Sequence, residues 1–452
     1  MNQENLKKSF IDEIMPSLQE SYELDSGLFD TYRVKRGLRN ADGTGVVAGL
    51  TRIGEVHGYV MNEGEKASVE GNLRYRGYEI EDLVMGAKEE RRHGFEEVCY
   101  LLLFGKLPTQ PQLERFKRLL QEDRALPKNF MEDIILKHTS EDIMNMLARG
   151  VLALYTYDGD PQGFSIHNST LQLIKIIAIL PLIAAYSKRA KEYVFEKKSL
   201  IMHEALPELS TAENFLRMIR EDSQYTPLEA QVLDLLLMLH AEHGGGNNST
   251  FVARAVASTD SDVYSAIAAA IGSLKGPKHG GANHKVMGMM DDIIKHTEAC
   301  DEEQVTAYLQ KIVNKEAYDR SGLIYGFGHA IYTKSDPRAE LLRSMVYKLA
   351  KEKQMEDELA VYAMVEKVAP PLLKKRRRSD LDICINVDFY SGYVYKMLGI
   401  TPDLYTPLFA ISRVAGWSAH ILEEQLTGKK IMRPAYKTIQ VLKQYEPLQE
   451  RD

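Results

Sequence analysis

Residues 232–246 read Val-Leu-Asp-Leu-Leu-Leu-Met-Leu-His-Ala-Glu-His-Gly-Gly-Gly. The run Val232–Leu239 is apolar but for one aspartate and reads as a buried helix. His240 and His243 fall at its C-terminal end, where the helix dipole favours a cationic imidazole. Three glycines follow, which stop a helix and let backbone approach a ligand closely. A buried helix delivering two histidines to a glycine turn is the nucleus of the reading.

Working outward, the dominant period is helical. Phe95, Val98, Cys99, Leu102 and Leu103 form one stripe, Val263, Ile267, Ile271 and Leu274 a second, and Leu342, Met345, Val346 and Leu349 a third. Turn signals at Gly105–Pro108, Asp158–Gly163, Gly276–Pro277, Asp336–Pro337 and Pro370–Pro371 separate such stretches. Only Glu55–Tyr59 and Leu73–Tyr75 read as strands, a small N-terminal sheet. The expected fold class is therefore all-α or nearly so. Leu171–Tyr186 is the most apolar stretch, but Lys175 and Pro181 interrupt it, so it reads as a buried helix of the core or of a subunit interface.

The chain has 452 residues, enough for two to four domains. Its 57 Lys plus Arg against 64 Asp plus Glu give a formal charge of −7, which offers nothing to nucleic acid in general. An anionic ligand must then be held by local clusters of Arg and His. Cys99, Cys300 and Cys384 show no paired spacing, so neither a disulfide framework nor a zinc site is expected. Met1–Glu20 is acidic and lacks an apolar core, which argues against a signal or mitochondrial leader and for a cytoplasmic protein.

Three more segments could carry chemistry. In Gly276-Pro277-Lys278-His279-Gly280-Gly281, the proline stops one helix and the Val286–Lys295 stretch belongs to the next. His279 is thus expected at a helix start and neutral. A neutral imidazole donates well to a carbonyl oxygen that is becoming an enolate. Tyr325-Gly326-Phe327-Gly328-His329 followed by Asp336-Pro337-Arg338 could turn His329 and Arg338 onto one anion, since the arginine fork suits carboxylates. In Asn386-Val387-Asp388-Phe389-Tyr390, apolar neighbours would desolvate Asp388 and strengthen it as a base. Plain structural readings stand beside these: His240 as a core histidine, Asp388 as a helix cap, and the basic run Lys374–Arg378 as a solvated helix end. That run also reads as a contact for nucleotide phosphates. His240-Ala-Glu-His243 has the wrong spacing and order for a zinc-helix motif, so no metal is expected.

Taken in order, these segments resemble the citrate synthase family, in its bacterial type. His243 and His279 stand 36 residues apart (279 − 243), as in that family. Gly71-Asn72-Leu73-Arg74-Tyr75-Arg76-Gly77-Tyr78, Phe409-Ala410-Ile411-Ser412-Arg413 and Arg433-Pro434 extend the resemblance from about Arg36 to Pro434. The chain departs from the family pattern at Gly244, at His284 and in the approach to Asn386.

The resemblance implies a two-domain helical fold, with 1–278 and 391–452 forming a large domain and 279–390 a small one. It implies condensation of acetyl-CoA with oxaloacetate to citrate, a step of the tricarboxylic acid cycle. Asp388 would abstract a methyl proton, His279 stabilise the enolate and His329 polarise the ketone. His243, His329, Arg338 and Arg413 would hold oxaloacetate, and Arg433 would reach a partner's site in a homodimer. Lys334, Lys374, Lys375 and Arg376 are candidates for the CoA phosphates. Acetyl-CoA enters as substrate, with no separate cofactor, metal, nucleic acid or membrane expected. The rival readings are a 2-methylcitrate synthase using propionyl-CoA and an inactive CoA- or citrate-sensing homologue.

Overall fold

The computed structural model describes residues 11–13, 15–16, 22–40, 44–62, 65–297, 301–377 and 382–451. Residues 1–50 and 51–452 form two separate units. The described part of the first holds a five-residue helix, Gly27–Thr31, and an isolated bridge between Arg39 and Gly45. The second holds the sheet and all four candidate segments.

The sheet is longer than the sequence predicts. Strand β1 spans Gly54–Asn62, β2 Glu65–Tyr75 and β3 Tyr78–Glu79, antiparallel in that order. Gly58 and Gly71 conceal the strands, because glycine inside a strand weakens its pattern. Both glycines have a packing reason. A Cβ on Gly58 would lie 2.8 Å from the Ile331 carbonyl oxygen, and one on Gly71 would lie 2.1 Å from that of Ser335. The sheet thus rests backbone to backbone on the 331–335 loop. Side chains tie it there: Thr333 Oγ1 donates to Gly58 O (2.7 Å), and Gly71 N–H donates to Ser335 Oγ (2.9 Å).

The helices that position the site are α1 (Ile80–Glu89), α2 (Phe95–Phe104), α3 (Ile166–Phe195), α4 (Pro227–His240), α5 (Asn248–Ala257), α6 (Val263–Lys275), α7 (Ala282–His296), α8 (Pro337–Lys353), α9 (Glu356–Arg377), α10 (Asp388–Met397) and α11 (Tyr405–Thr427). The Val232–Leu239 run forms most of α4, started by Pro227 and a Thr226/Glu229 capping box. It is apolar all round because it is buried all round: Val232, Leu233, Leu236 and Leu239 are all 0 % exposed. Each such side chain contributes about 1.5–3 kcal/mol on leaving water. Helix α4 packs against α8 on one side and α11 on another, and α8 packs against α10. Helix α3 is long and apolar enough to cross a membrane by length and composition, yet 83 % of its most apolar window is buried within the protein.

One predicted break is absent. Helix α9 runs through Pro370 and Pro371 to Arg377. Two interior prolines forfeit backbone hydrogen bonds, but Val365, Val368, Ala369 and Leu373 anchor the helix in the core on both sides of them. Cys99 and Cys384 are free thiols, while Cys300 and Arg378 lie outside the described residues.

Candidate active site

The end of α4 is held from the sheet. A helix C-terminus leaves carbonyls unpaired, and the buried Tyr75 hydroxyl of β2 sits 3.0 Å from Met238 O and 3.2 Å from Glu242 O. Gly244, at φ 83°, then turns the chain in the left-handed region. Glu242 is buried, accepts from Gly244 N–H (2.5 Å) and faces His420 Nε2 at 3.0 Å. Burial alone would raise its pKa, but His420, Arg413 and the Gly244 N–H together hold it below the usual carboxylate range. His240 and His243 are not cationic, as the helix end alone would favour. Burial, with Arg338 and Arg413 nearby, holds both well below the ordinary histidine value.

The His329 loop is laced to the segment leading into α10. Gly328 N–H donates to Cys384 O (2.8 Å), Asn386 N–H to Gly326 O (2.9 Å) and Asn386 Nδ2 to Gly328 O (3.1 Å). This brings His329 and Asp388 together from distant parts of the chain. His329 Nδ1 accepts from the backbone N–H of Ile331 (3.1 Å) and Tyr332 (3.2 Å). A neutral ring with an accepting Nδ1 carries its proton on Nε2. The ring stacks on Tyr332 at 4.7 Å and meets His243 edge-on at 5.1 Å.

Asp336 does two jobs. It caps α8 by accepting from Arg338 N–H (3.1 Å), and it grips the same residue's Nε (3.0 Å) and Nη2 (2.7 Å). Val387 N–H donates to it as well, at 3.2 Å. Burial opposes the Arg338 charge, but Asp336, with smaller help from Tyr332 and Asp388, keeps the guanidinium above its ordinary pKa. Asp388, the first residue of α10, is partly accessible yet densely surrounded. Burial lifts its carboxyl to about 6, with Asp336 repelling its charge and Arg338 attracting it.

Helix α11 supplies Arg413, buried at 0 % exposure. Its Nε donates to His240 O (2.6 Å), while Nη1 and Nη2 are buried with no hydrogen-bond partner among the described residues. Burial pushes its pKa down to about 10, so it remains charged at neutral pH. One turn on, Trp417 Nε1 donates to Ser249 Oγ (3.1 Å), and the same hydroxyl lies 3.1 Å from His279 Nε2. His279 sits in the turn between α6 and α7, as expected. Burial first, then Arg413, pushes it down to about 4, so it is neutral.

His243, His329, Arg338 and Asp388 are thus linked by contact or by charge, and His279 joins through Ser249, Trp417 and Arg413. Other predicted residues stand apart. Arg433 is exposed in the extended segment after α11. Lys334 is exposed and paired with Glu70. Lys374 is paired with Asp382 (2.6 Å), and Arg376 donates to Gly322 O. Lys375 is exposed. Sequence reasoning passed over Ser249, Tyr332, Asn386, Trp417 and the Glu242–His420 pair. Only Asp336 carried a readable signal, an aspartate before a proline at a helix start.

Comparison with known proteins identifies the family of the whole chain. The family model for the citrate synthase C-terminal domain matches residues 40–435. Citrate synthase 2 of Bacillus subtilis is 35 % identical over 388 residues, covering 85 % of this chain and 94 % of the relative. A 2-methylcitrate synthase of Shewanella oneidensis is 33 % identical over 365 residues, covering 80 % and 87 %. The Pyrobaculum aerophilum citrate synthase structure superposes with a TM-score of 0.73 at 32 % identity, over 90 % of this chain and 94 % of that one. A Thermoplasma acidophilum citrate synthase, solved with carboxymethyl coenzyme A and oxaloacetate, gives 0.75 at 26 % identity, over 92 % and 99 %. By its helical fold, by its relatives and by the model that spans most of its length, the chain belongs to the citrate synthase family.

Proposed function

We propose that the protein condenses acetyl-CoA with oxaloacetate and water to give citrate and CoA. The observation that carries this reading is Asp388, whose carboxyl is lifted to about 6 beside the Asp336–Arg338 clamp. Asp388 takes a methyl proton from the thioester. A carboxylate is too weak a base for this unaided, so the enolate must be stabilised as it forms. His279 supplies that stabilisation from a ring N–H, its ring held by Ser249 Oγ at 3.1 Å from Nε2. One such donor is worth roughly a hundred- to thousandfold in rate. The enolate carbon then attacks the ketone carbon of oxaloacetate, whose oxygen is polarised by His329 Nε2–H. His243, Arg338 and Arg413 hold the two carboxylates. Water finally cleaves the thioester of citryl-CoA, releasing CoA.

The relatives named 2-methylcitrate synthase support a second reading, with propionyl-CoA as acyl donor. One extra methylene changes discrimination by only about 1–3 kcal/mol. Thiol release measured with oxaloacetate and either thioester separates the readings. Faster turnover per unit concentration with acetyl-CoA supports citrate as principal product, and faster turnover with propionyl-CoA supports 2-methylcitrate. No release with either would leave the inactive-homologue reading standing. For CoA, Lys375 is now the favoured phosphate contact, because Lys334, Lys374 and Arg376 already hold protein partners.

A further inference from the structure

A cavity of about 290 Å³ lies between α1, α4 and α8, away from the histidine cluster. Its inner wall is apolar, with Leu235 and Met238 from α4 and Met345 from α8. Its mouth is lined by Lys88 at the end of α1 and by Arg91, Arg92 and His93 of the turn that follows, with His93 Nδ1 3.5 Å from Glu213. Arg92 is engaged by Glu90 and by Glu97 (2.8 Å), but its Nη1 is buried with no hydrogen-bond partner among the described residues. Lys88 and Arg91 have no ion-pair partner among the described residues. One carboxylate, Asp234, also lines the wall. Its oxygens are taken by Gly94 N–H (2.7 Å) and Phe95 N–H (3.3 Å) at the start of α2. Arg92 and His93 also border two neighbouring cavities of about 450 and 210 Å³, so space rather than packing backs this turn.

We propose that this cavity binds a small organic anion with an apolar body, and that its occupant sets the gap between α4 and α8. The apolar wall removes the body from water, and the unpaired cations at the mouth receive the charge. The volume is near the lower end of small-molecule sites, about 300 Å³. Both helices lead to the other site: α4 ends at His240 and α8 begins next to Arg338. Met345 is seven residues from Arg338, about 10 Å along the helix at 1.5 Å per residue. An occupant that wedges the helices apart therefore acts on the separation of His243 from Arg338.

Decanoate is the probe. Calorimetry without substrates should show saturable binding at one site per chain. Arg91→Glu, on an exposed side chain, should weaken it about tenfold or more, and Met345→Trp should abolish it by filling the cavity. Decanol lacks the charge and inorganic phosphate lacks the body, so both should bind far more weakly. The single tryptophan, Trp417, bonded to Ser249 at 3.1 Å, should change its emission as decanoate saturates. Equal binding by Arg91→Glu and the wild type would overturn the site, as would decanol or phosphate matching decanoate. Binding with unchanged Trp417 emission and unchanged KM for oxaloacetate would overturn the coupling. If Met345→Trp fails to fold, Arg91→Glu alone decides. Since binding is read without turnover, its outcome is separate from that of the proposed condensation.

Discussion

Asp388 shows how one side chain trades stability for reactivity. Its pKa rises from an ordinary 3.8 to about 6 in the folded protein. A base acts when deprotonated, so kcat/KM should climb with pH through about 6 and level above it. Buffers spanning pH 5 to 8 check this, and a flat profile would assign the base elsewhere. The folded state holds this proton more tightly than the unfolded state. Asp388 therefore costs stability as pH rises through about 4 to 6. Asp388→Asn should bind oxaloacetate, lose about 10²–10⁴ in turnover, and melt higher than the wild type at pH 7. The gain should be on the order of 1–2 kcal/mol after allowance for partial exposure. Asp336→Asn should act oppositely. It strands a buried Arg338 charge, which costs about 3–5 kcal/mol, and KM for oxaloacetate should rise as the guanidinium loses its grip. Unchanged KM and melting temperature would show that Asp336 does not set Arg338.

At the scale of elements, most helices were legible, as were ends at Gly105, Gly276 and Asp336, but the continuity of α9 and the length of the sheet were not. Periodicity located α2, α6 and α8 because their buried faces repeat along the chain. Pro370–Pro371 misled because burial on both sides held α9 together, which no local pattern records. The sheet was half hidden because Gly58 and Gly71 answer to a loop far along the chain. The site divided in the same way. His243, His279, His329, Arg338 and Asp388 stand beside glycines, prolines or apolar runs that betray them. Ser249, Asn386 and Trp417 act through hydrogen bonds to distant residues and look ordinary in sequence. Gly71→Ala tests the sheet contact. Its Cβ would meet Ser335 O at 2.1 Å, so the variant should lose about 1–3 kcal/mol and raise KM for oxaloacetate. Wild-type melting and kinetics would mean that the loop adjusts freely.

At the scale of the whole molecule, the exposed Arg433 calls for a test between chains. The proposed homodimer places it in the partner's site. Mixing and refolding Asp388→Asn with Arg433→Ala, each inactive alone, should then restore activity. Half of the dimers formed at random are mixed, and each has one intact site and one doubly defective site. Recovery should reach about one quarter of the wild-type rate. No recovery would confine Arg433 to its own chain or remove it from the site.

The contacts at Gly58 and Gly71 bear on which residues could move with the expected small domain, 279–390. Ordinary side chains between two surfaces let them slide, as rotamers adjust. Here the strand glycines carry no side chain into the contact, and the Thr333 and Ser335 hydroxyls pin strand and loop together. If 279–390 swings as a body, residues 54–75 must travel with it, and its mobile part is discontinuous in the chain. The pivot then lies near Tyr75, whose hydroxyl grips the end of α4, rather than at residue 279 alone. A hinge of that kind would turn about the histidine cluster itself, so opening the door would also unlatch the catalytic residues.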